Sequence, residues 1–262
     1  MSNLSLSAAI PGSIPRAAFV SGSARRLGRI TALTLARAGF AVAVHYKGSE
    51  AEAEATADEV RGFGVAAVTL AGDLSCEGDV QGLIGRATDA LGPLGVLVNN
   101  ASTFARDEWN NATAASWDFH MGPNLRAPFV LTQGFAGALP DSAEGVVINM
   151  LDARVWAPTG QLVSYALSKS GLWALTQSLA LALAPRIRVN GIGPGPTLPI
   201  TLETAEAFAR DAGSLPLGHG TSPEEIGRAV LAILALPSLT GQMLALDGGQ
   251  HLARQALALD GL

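Results

Sequence analysis

Short apolar runs alternate with amphipathic stretches along almost the whole chain. Residues 17–20, 41–45, 65–70, 96–98, 146–149, 187–192 and 243–246 read as strands. Residues 26–38, 50–61, 77–91, 117–139, 162–183 and 223–236 read as helices, the fifth stopped by Pro185 and the last opened by Thr221-Ser222 before Pro223. The strand runs are continuous in apolar character rather than alternating, as parallel strands covered on both faces must be. The pattern therefore predicts the α/β class: a single doubly wound, Rossmann-type domain, with a seven-stranded parallel sheet, helices on both faces and right-handed crossovers. Ligands of such sheets bind beyond the carboxyl ends of the strands, where the strand order reverses. The predicted domain spans 16–254. Before it, residues 1–15 are rich in Ser, Ala, Leu and Pro without a basic segment and an apolar block, and are expected to be a flexible leader; 255–262 form a tail.

Composition narrows the classes. The chain has 262 residues, 48% hydrophobic and 15% charged, with a net charge of −5. That is enough apolar material for a large core, and the acidic balance excludes a basic nucleic-acid footprint. No apolar run reaches the roughly 18 residues of a membrane helix. A lone cysteine, Cys76, cannot form an internal disulfide, which points to a reducing, cytoplasmic setting; it is expected to be a small, partly buried residue. His45, His120, His219 and His251 have no metal-ligand spacing, so no metal is expected.

The chemistry gathers at the predicted strand ends. The first strand runs into Ser21-Gly22-Ser23-Ala24-Arg25-Arg26-Leu27-Gly28, a glycine-bearing turn opening a helix. Such turns let a pyrophosphate approach the backbone and meet the unpaired N–H groups of the helix. Gly22, Arg25, Arg26, Leu27 and Gly28 are the candidate cradle, and the planar charge of Arg26 suits both phosphate and a flat heterocycle. The second strand leads to His45-Tyr46-Lys47-Gly48-Ser49 with no carboxylate for a ribose 2′-hydroxyl. A 2′-phosphate fits there instead, held by Lys47 and Ser49, which favours NADPH; His45 is either a third phosphate ligand or a half-buried strand-end residue. Asp73, followed by Leu74, either meets an adenine amino group or caps the next helix. Tyr165 and Lys169 share one helical face at i and i+4. An ammonium beside the phenol is expected to favour phenolate and let the tyrosine pass a proton near neutral pH.

These motifs, in this order from about Arg16 to Arg254, resemble the short-chain dehydrogenase/reductase family. The first turn is similar to its Thr-Gly-x-x-x-Gly-x-Gly, with Ser21 for Thr and Arg26 for the middle Gly; Asn99-Asn100-Ala101-Ser102, Tyr165-x-x-x-Lys169, Arg188-Val189-Asn190-x-Ile192-x-Pro194-Gly195 and Asp247-Gly248-Gly249 follow. Asp152 stands 13 residues before Tyr165, where most members have a serine. An ionised carboxylate and a ketone oxygen are both acceptors, whereas the amino and ring N–H groups of a pterin are donors. Arg26, the His45–Ser49 segment, Ser102, Phe104 and Asp152 together look like the pteridine reductase branch, similar to bacterial dihydromonapterin- and dihydrofolate-type reductases. Gly48 departs from it, since an arginine is common there.

The resemblance implies Asp152, Tyr165 and Lys169 as the catalytic set, with Asn124 holding a helix kink and a relay water. It implies Phe104 as a ring-stacking residue facing the nicotinamide, and Arg26, Ser102, Asp152 and Tyr165 as further substrate contacts. It places Tyr46, Asn99, Ala101, Ser102, Pro194, Gly195 and Thr197 along the cofactor, residues 196–220 over the substrate as a lid, and a homotetramer around helices 117–139 and 162–183. The function implied is NADPH-dependent reduction of a pterin, dihydropterin or dihydrofolate-type small molecule. The alternatives are a short-chain carbonyl reductase acting on a small ketone or 3-oxoacyl thioester, and a non-catalytic NADPH-binding protein.

Overall fold

The structure, a computed structural model, describes residues 3–199 and 204–253. The expected tail and part of the expected lid lie outside the described residues. Seven strands form one sheet: β1 Ala17–Val20, β2 Ala41–Tyr46, β3 Ala67–Ala71, β4 Val96–Asn99, β5 Gly145–Met150, β6 Ile187–Pro194 and β7 Met243–Leu246. Their order is β3-β2-β1-β4-β5-β6-β7 and every pairing is parallel. Alternation of side chains divides the core. Ala18, Val20, Val42, Val44, Val96, Val98, Val146 and Ile148 pack with helices α2 (Arg26–Arg37), α3 (Glu50–Arg61) and α9 (Pro223–Ala235). Ala17, Phe19, Ala43, Leu97, Val147 and Val189 pack with α4 (Glu77–Leu91), α6 (Ala127–Ala138) and the last turn of α7 (Val163–Ala182). Among the described residues no helix is long and apolar enough to cross a membrane.

The order reverses at β1, whose neighbours are β2 and β4. Register aligns the strand ends there: Val20 lies beside Val44 and Val98, Asn99 beside Asn149, and Met150 beside Ile192. Residues just beyond β1, β4, β5 and β6 therefore emerge along one edge.

Three sequence expectations differ. The stretch 117–139 is not one helix: α5 (Ala114–Met121) and α6 are joined by a single π-helical turn, Gly122–Arg126. Pro123 and Pro128 cannot donate to the helical ladder, and the wider turn absorbs the break. Residues 10–15 do not lie apart from the domain. A short helix, α1 (Asn3–Ala8), comes first, and Ile10 and Ile14 are buried in the core cluster that holds α9. Cys76 is exposed, because it precedes α4 at its N-terminus.

Candidate active site

The cofactor turn is built by close backbone approach. Gly22 has φ +62°, and a side chain on it would meet Ala101 at 3.0 Å. A side chain at Gly28 would lie 2.3 Å from the Gly22 carbonyl, so only glycine lets α2 start this close to the turn. Arg25 precedes α2 without a side-chain cap, and the first residues of the helix, whose N–H groups have no intrahelical partner, line the cleft. Arg26 follows at φ +55°, a conformation that favours glycine, and its Nη2 donates to the Pro199 carbonyl at 3.0 Å. It thus spans from the turn to the segment expected to be a lid. In that segment α8 (Ala205–Gly213) contributes no buried residue.

Asn100, not singled out from the sequence, anchors the turn. Its Nδ2 donates to the carbonyls of Ser21 (2.9 Å) and Gly22 (3.1 Å). Asn99 points the other way, into the sheet, where it donates to Asn149 Oδ1 at 2.8 Å; it does not line the cleft. Strand alternation exchanges the two roles, since Asn99 closes β4 and Asn100 begins the loop.

His45 is a structural pin rather than a phosphate ligand. The Gly22 N–H donates to Nδ1 at 2.9 Å, so the ring proton sits on Nε2, which donates to the Gly72 carbonyl at 3.1 Å. Burial, the largest influence, lowers its pKa to about 4, and the ring is neutral. An unfolded chain takes up this proton near pH 6.5, before the folded one does. Stability from His45 is therefore full above pH 6.5 and is lost as pH falls toward 4, by about 3 kcal/mol in all. His45→Asn, which keeps an acceptor for Gly22 but does not titrate, is expected to lose less stability than the wild type between pH 7.5 and 5 in urea unfolding.

Beyond β2 and β3, Lys47 Nζ pairs with Asp73 Oδ2 at 2.6 Å, and this hydrogen bond is the main reason the Asp73 pKa falls to about 2. Asp73 Oδ1 accepts from the Ser75 N–H and hydroxyl at 2.9 and 2.7 Å, closing a local turn; it does not cap the next helix, whose N-cap is Cys76. Ser49 stands at the N-terminus of α3 with its hydroxyl unused in capping.

Across the cleft, Tyr165 Oη donates to Asp152 Oδ2 at 3.1 Å. Arg154 holds the same carboxylate twice: its N–H donates to Oδ1 at 2.8 Å and its Nη1 to Oδ2 at 2.9 Å. A 3-10 turn over Ala153–Val155 brings this arginine back beside Asp152, which spacing alone does not reveal. Lys169 Nζ donates to the Met150 carbonyl at 2.8 Å and lies 6.0 Å from the Tyr165 ring centroid. Burial lowers it to about 8.

The expectation of a lowered tyrosine pKa is not met. Burial, and then the neighbouring Asp152 charge, hold the phenol well above its usual range. Tyr165 is a protonated donor to Asp152.

Asn124 is fully buried in the π-helical turn. Its Oδ1 accepts from the Thr103 N–H at 2.8 Å, and its Nδ2 donates to the Thr103 carbonyl at 3.0 Å and to Ser168 Oγ at 3.1 Å. It stands one layer behind the cleft. Phe104, by contrast, lies half-exposed in it, edge-on to Tyr165 with ring centroids 4.9 Å apart. Ala101, Ser102, Pro194, Gly195 and Thr197 also reach the cleft, as do Leu27, Tyr46 and Leu74. The cleft is continuous from Lys47 to Phe208, with a volume of about 1040 Å³.

Residues 22–251 match the family model described as enoyl-(acyl carrier protein) reductase. The chain belongs to the short-chain dehydrogenase/reductase family. It is an oxidoreductase of that family. Two solved structures are similar over nearly the whole length. One is alternative dihydrofolate reductase 1 (FolM) from Brucella canis, complexed with NADP: 42% identity, 96% of this chain, 97% of that one, TM-score 0.88. The other is its counterpart from Brucella suis, also with NADP: 45% identity, 92% and 96%, TM-score 0.88. The chain is also 31% identical over 242 residues, 90% of its length and 96% of the other, to a Streptomyces violaceoruber protein named as ketoacyl reductase 2 of the granaticin polyketide synthase.

Proposed function

We propose that this reductase uses NADPH to reduce a C=N bond of a pterin, dihydropterin or dihydrofolate-type substrate. The observation that carries the reading is Asp152 against Tyr165 Oη, at the position where reduction of a ketone calls for a donor. The two Brucella relatives, with their folate-reducing name and NADP, support it.

The cradle fits the cofactor. Its backbone approach requires glycine at 22 and 28, α2 offers open N–H groups, and no carboxylate follows β2 to repel a 2′-phosphate. Lys47 and Ser49 would hold that phosphate, Asp73 the adenine edge and Lys169 the ribose. When bound, NADPH supplies the hydride. Tyr165 gives its phenol proton to the nitrogen next to the reduced carbon, and Asp152 orients the phenol. The proton is then replaced from solvent on the Arg154 side, where that side chain is 29% exposed.

Arg26 would meet the pyrophosphate. Its left-handed backbone costs about 1–2 kcal/mol, which glycine relieves at the expense of about 0.5–1 kcal/mol of chain entropy. Arg26→Gly is therefore expected to keep or slightly raise Tm while weakening NADPH binding on the order of tenfold. Titration of NADPH fluorescence beside a thermal melt checks both halves.

The second reading, reduction of a small ketone or 3-oxoacyl thioester, is favoured by the ketoacyl reductase relative. The two are separated by following NADPH oxidation with biopterin, dihydrobiopterin, dihydromonapterin and dihydrofolate, beside simple ketones and an acetoacetyl thioester. Turnover on the pterins or dihydrofolate is expected; turnover confined to ketones or the thioester sinks the reading. Exposed apolar side chains on α5 and α7, among them Trp117, Leu167 and Leu181, support assembly as a homotetramer, which light scattering tests.

A further inference from the structure

We infer that Asp107, Ser164 and His120 position the substrate, as a buried relay that fixes loop 102–108 so that Phe104 stands against Tyr165. The inference rests on the reading that a flat heterocycle binds at Phe104.

The Ala105 N–H donates to His120 Nε2 at 3.0 Å, so the ring proton is on Nδ1. Nδ1 donates to Ser164 Oγ at 2.6 Å, and the Ser164 proton then goes to Asp107 Oδ2 at 2.5 Å. The Ser164 N–H donates to Asp107 Oδ1 at 3.1 Å, and Ser116 Oγ to Oδ2 at 3.0 Å. His120 and Ser164 are fully buried and Asp107 is 3% exposed. Burial lowers the His120 pKa, in keeping with a neutral ring.

The relay is set between the two walls of the substrate half of the cleft. Ser164 precedes Tyr165 on α7, and the His120 ring lies 5.9 Å from the Tyr165 ring. On the other wall the loop is tied at alternate residues: Thr103 to Asn124, Ala105 to His120 and Asp107 to Ser164. The residues between them, Phe104 and Arg106, face the cleft. No member of the relay lines the cleft or bonds the Gly22–Gly28 turn. Its loss should therefore affect the substrate and spare the cofactor.

Three full-length variants test this. Ser164→Ala breaks the relay at its centre. His120→Gln keeps an acceptor for Ala105 but loses the donor to Ser164; His120→Asn keeps the donor and loses the acceptor. Ser164→Ala and His120→Asn are expected to raise KM for a dihydropterin roughly tenfold or more. NADPH Kd should stay within about twofold, and His120→Gln should fall between these variants and the wild type. A residue needed only for folding would not separate KM from Kd, nor Gln from Asn. Hydrogen exchange supplies a readout independent of the substrate: amides 103–107 should exchange faster in both disruptive variants, with 22–28 unchanged. Wild-type protein inactive on every pterin overturns the functional reading alone. Unchanged substrate KM, joint loss of substrate and cofactor affinity, or unchanged exchange at 103–107 overturns this inference. If Ser164→Ala does not fold, the Gln and Asn pair decides.

Discussion

Tyr165→Phe is expected to lower kcat by about 10²–10⁴-fold, the usual contribution of a positioned acid, while NADPH Kd stays within about twofold. The substitution removes one oxygen. The ring remains buried and edge-on to Phe104, so shape and packing are kept. What is lost is the proton that burial and Asp152 hold on Oη. An acid kept protonated near neutral pH is the state a reduction needs, because each hydride delivered to carbon must be matched by a proton, placed on the adjacent nitrogen in the proposed reaction. Lys169 cannot substitute. Its Nζ is buried, directed at the Met150 carbonyl, and set 6.0 Å from the ring centroid. Stopped-flow decay of NADPH absorbance under single-turnover conditions isolates the chemical step. A Phe variant with more than about a tenth of the wild-type rate would remove Tyr165 from the reaction and turn attention to Asp152 and Arg154.

The fold was legible because its strands announce themselves. Val20, Val44, Val98 and Ile148 belong to continuous apolar runs, and runs of that kind are stable only when helices cover both faces. The third strand was read two residues early, because Val65 and Ala66 are as apolar as the residues that pair; the ladder with β2 begins at Ala67. The cleft was legible where chemistry follows a strand end, as at Gly22, Lys47, Ser102 and Asp152. It was not legible where a side chain works through a distant partner. Arg154 meets Asp152 only because of a 3-10 turn, and His120, Ser164 and Asp107 meet from three separate segments. The shift of Tyr165 failed for a related reason. Spacing shows that Lys169 is near, but the sign is decided by desolvation and by Asp152, which depend on the packed site.

Asp152→Ser is expected to exchange one substrate class for the other: kcat/KM for dihydropterin should fall about 10- to 150-fold, and reduction of small ketones should rise. The carboxylate now accepts from Tyr165 and twice from Arg154, and Asp152 lines the cleft as an acceptor. A ketone oxygen placed there meets an acceptor, while a pterin amino group meets a charged partner; a serine hydroxyl reverses both preferences because it can donate. The exchange should be tolerated by the fold. The Asp152 side chain is only 11% exposed; its ion-pair partner, Arg154, is 29% exposed and can turn to water when the carboxylate is removed, whereas the buried Lys169 ammonium also feels the Asp152 charge and cannot. Losing the carboxylate leaves Lys169 with less compensation, at a cost tempered by its bond to the Met150 carbonyl, so a modest fall in melting temperature is expected without loss of the fold. The comparison needs both substrates on both proteins. If the wild type already reduces ketones as well as the Ser variant does, Asp152 does not discriminate between acceptor and donor substrates, and the proposed substrate class loses the observation that carries it.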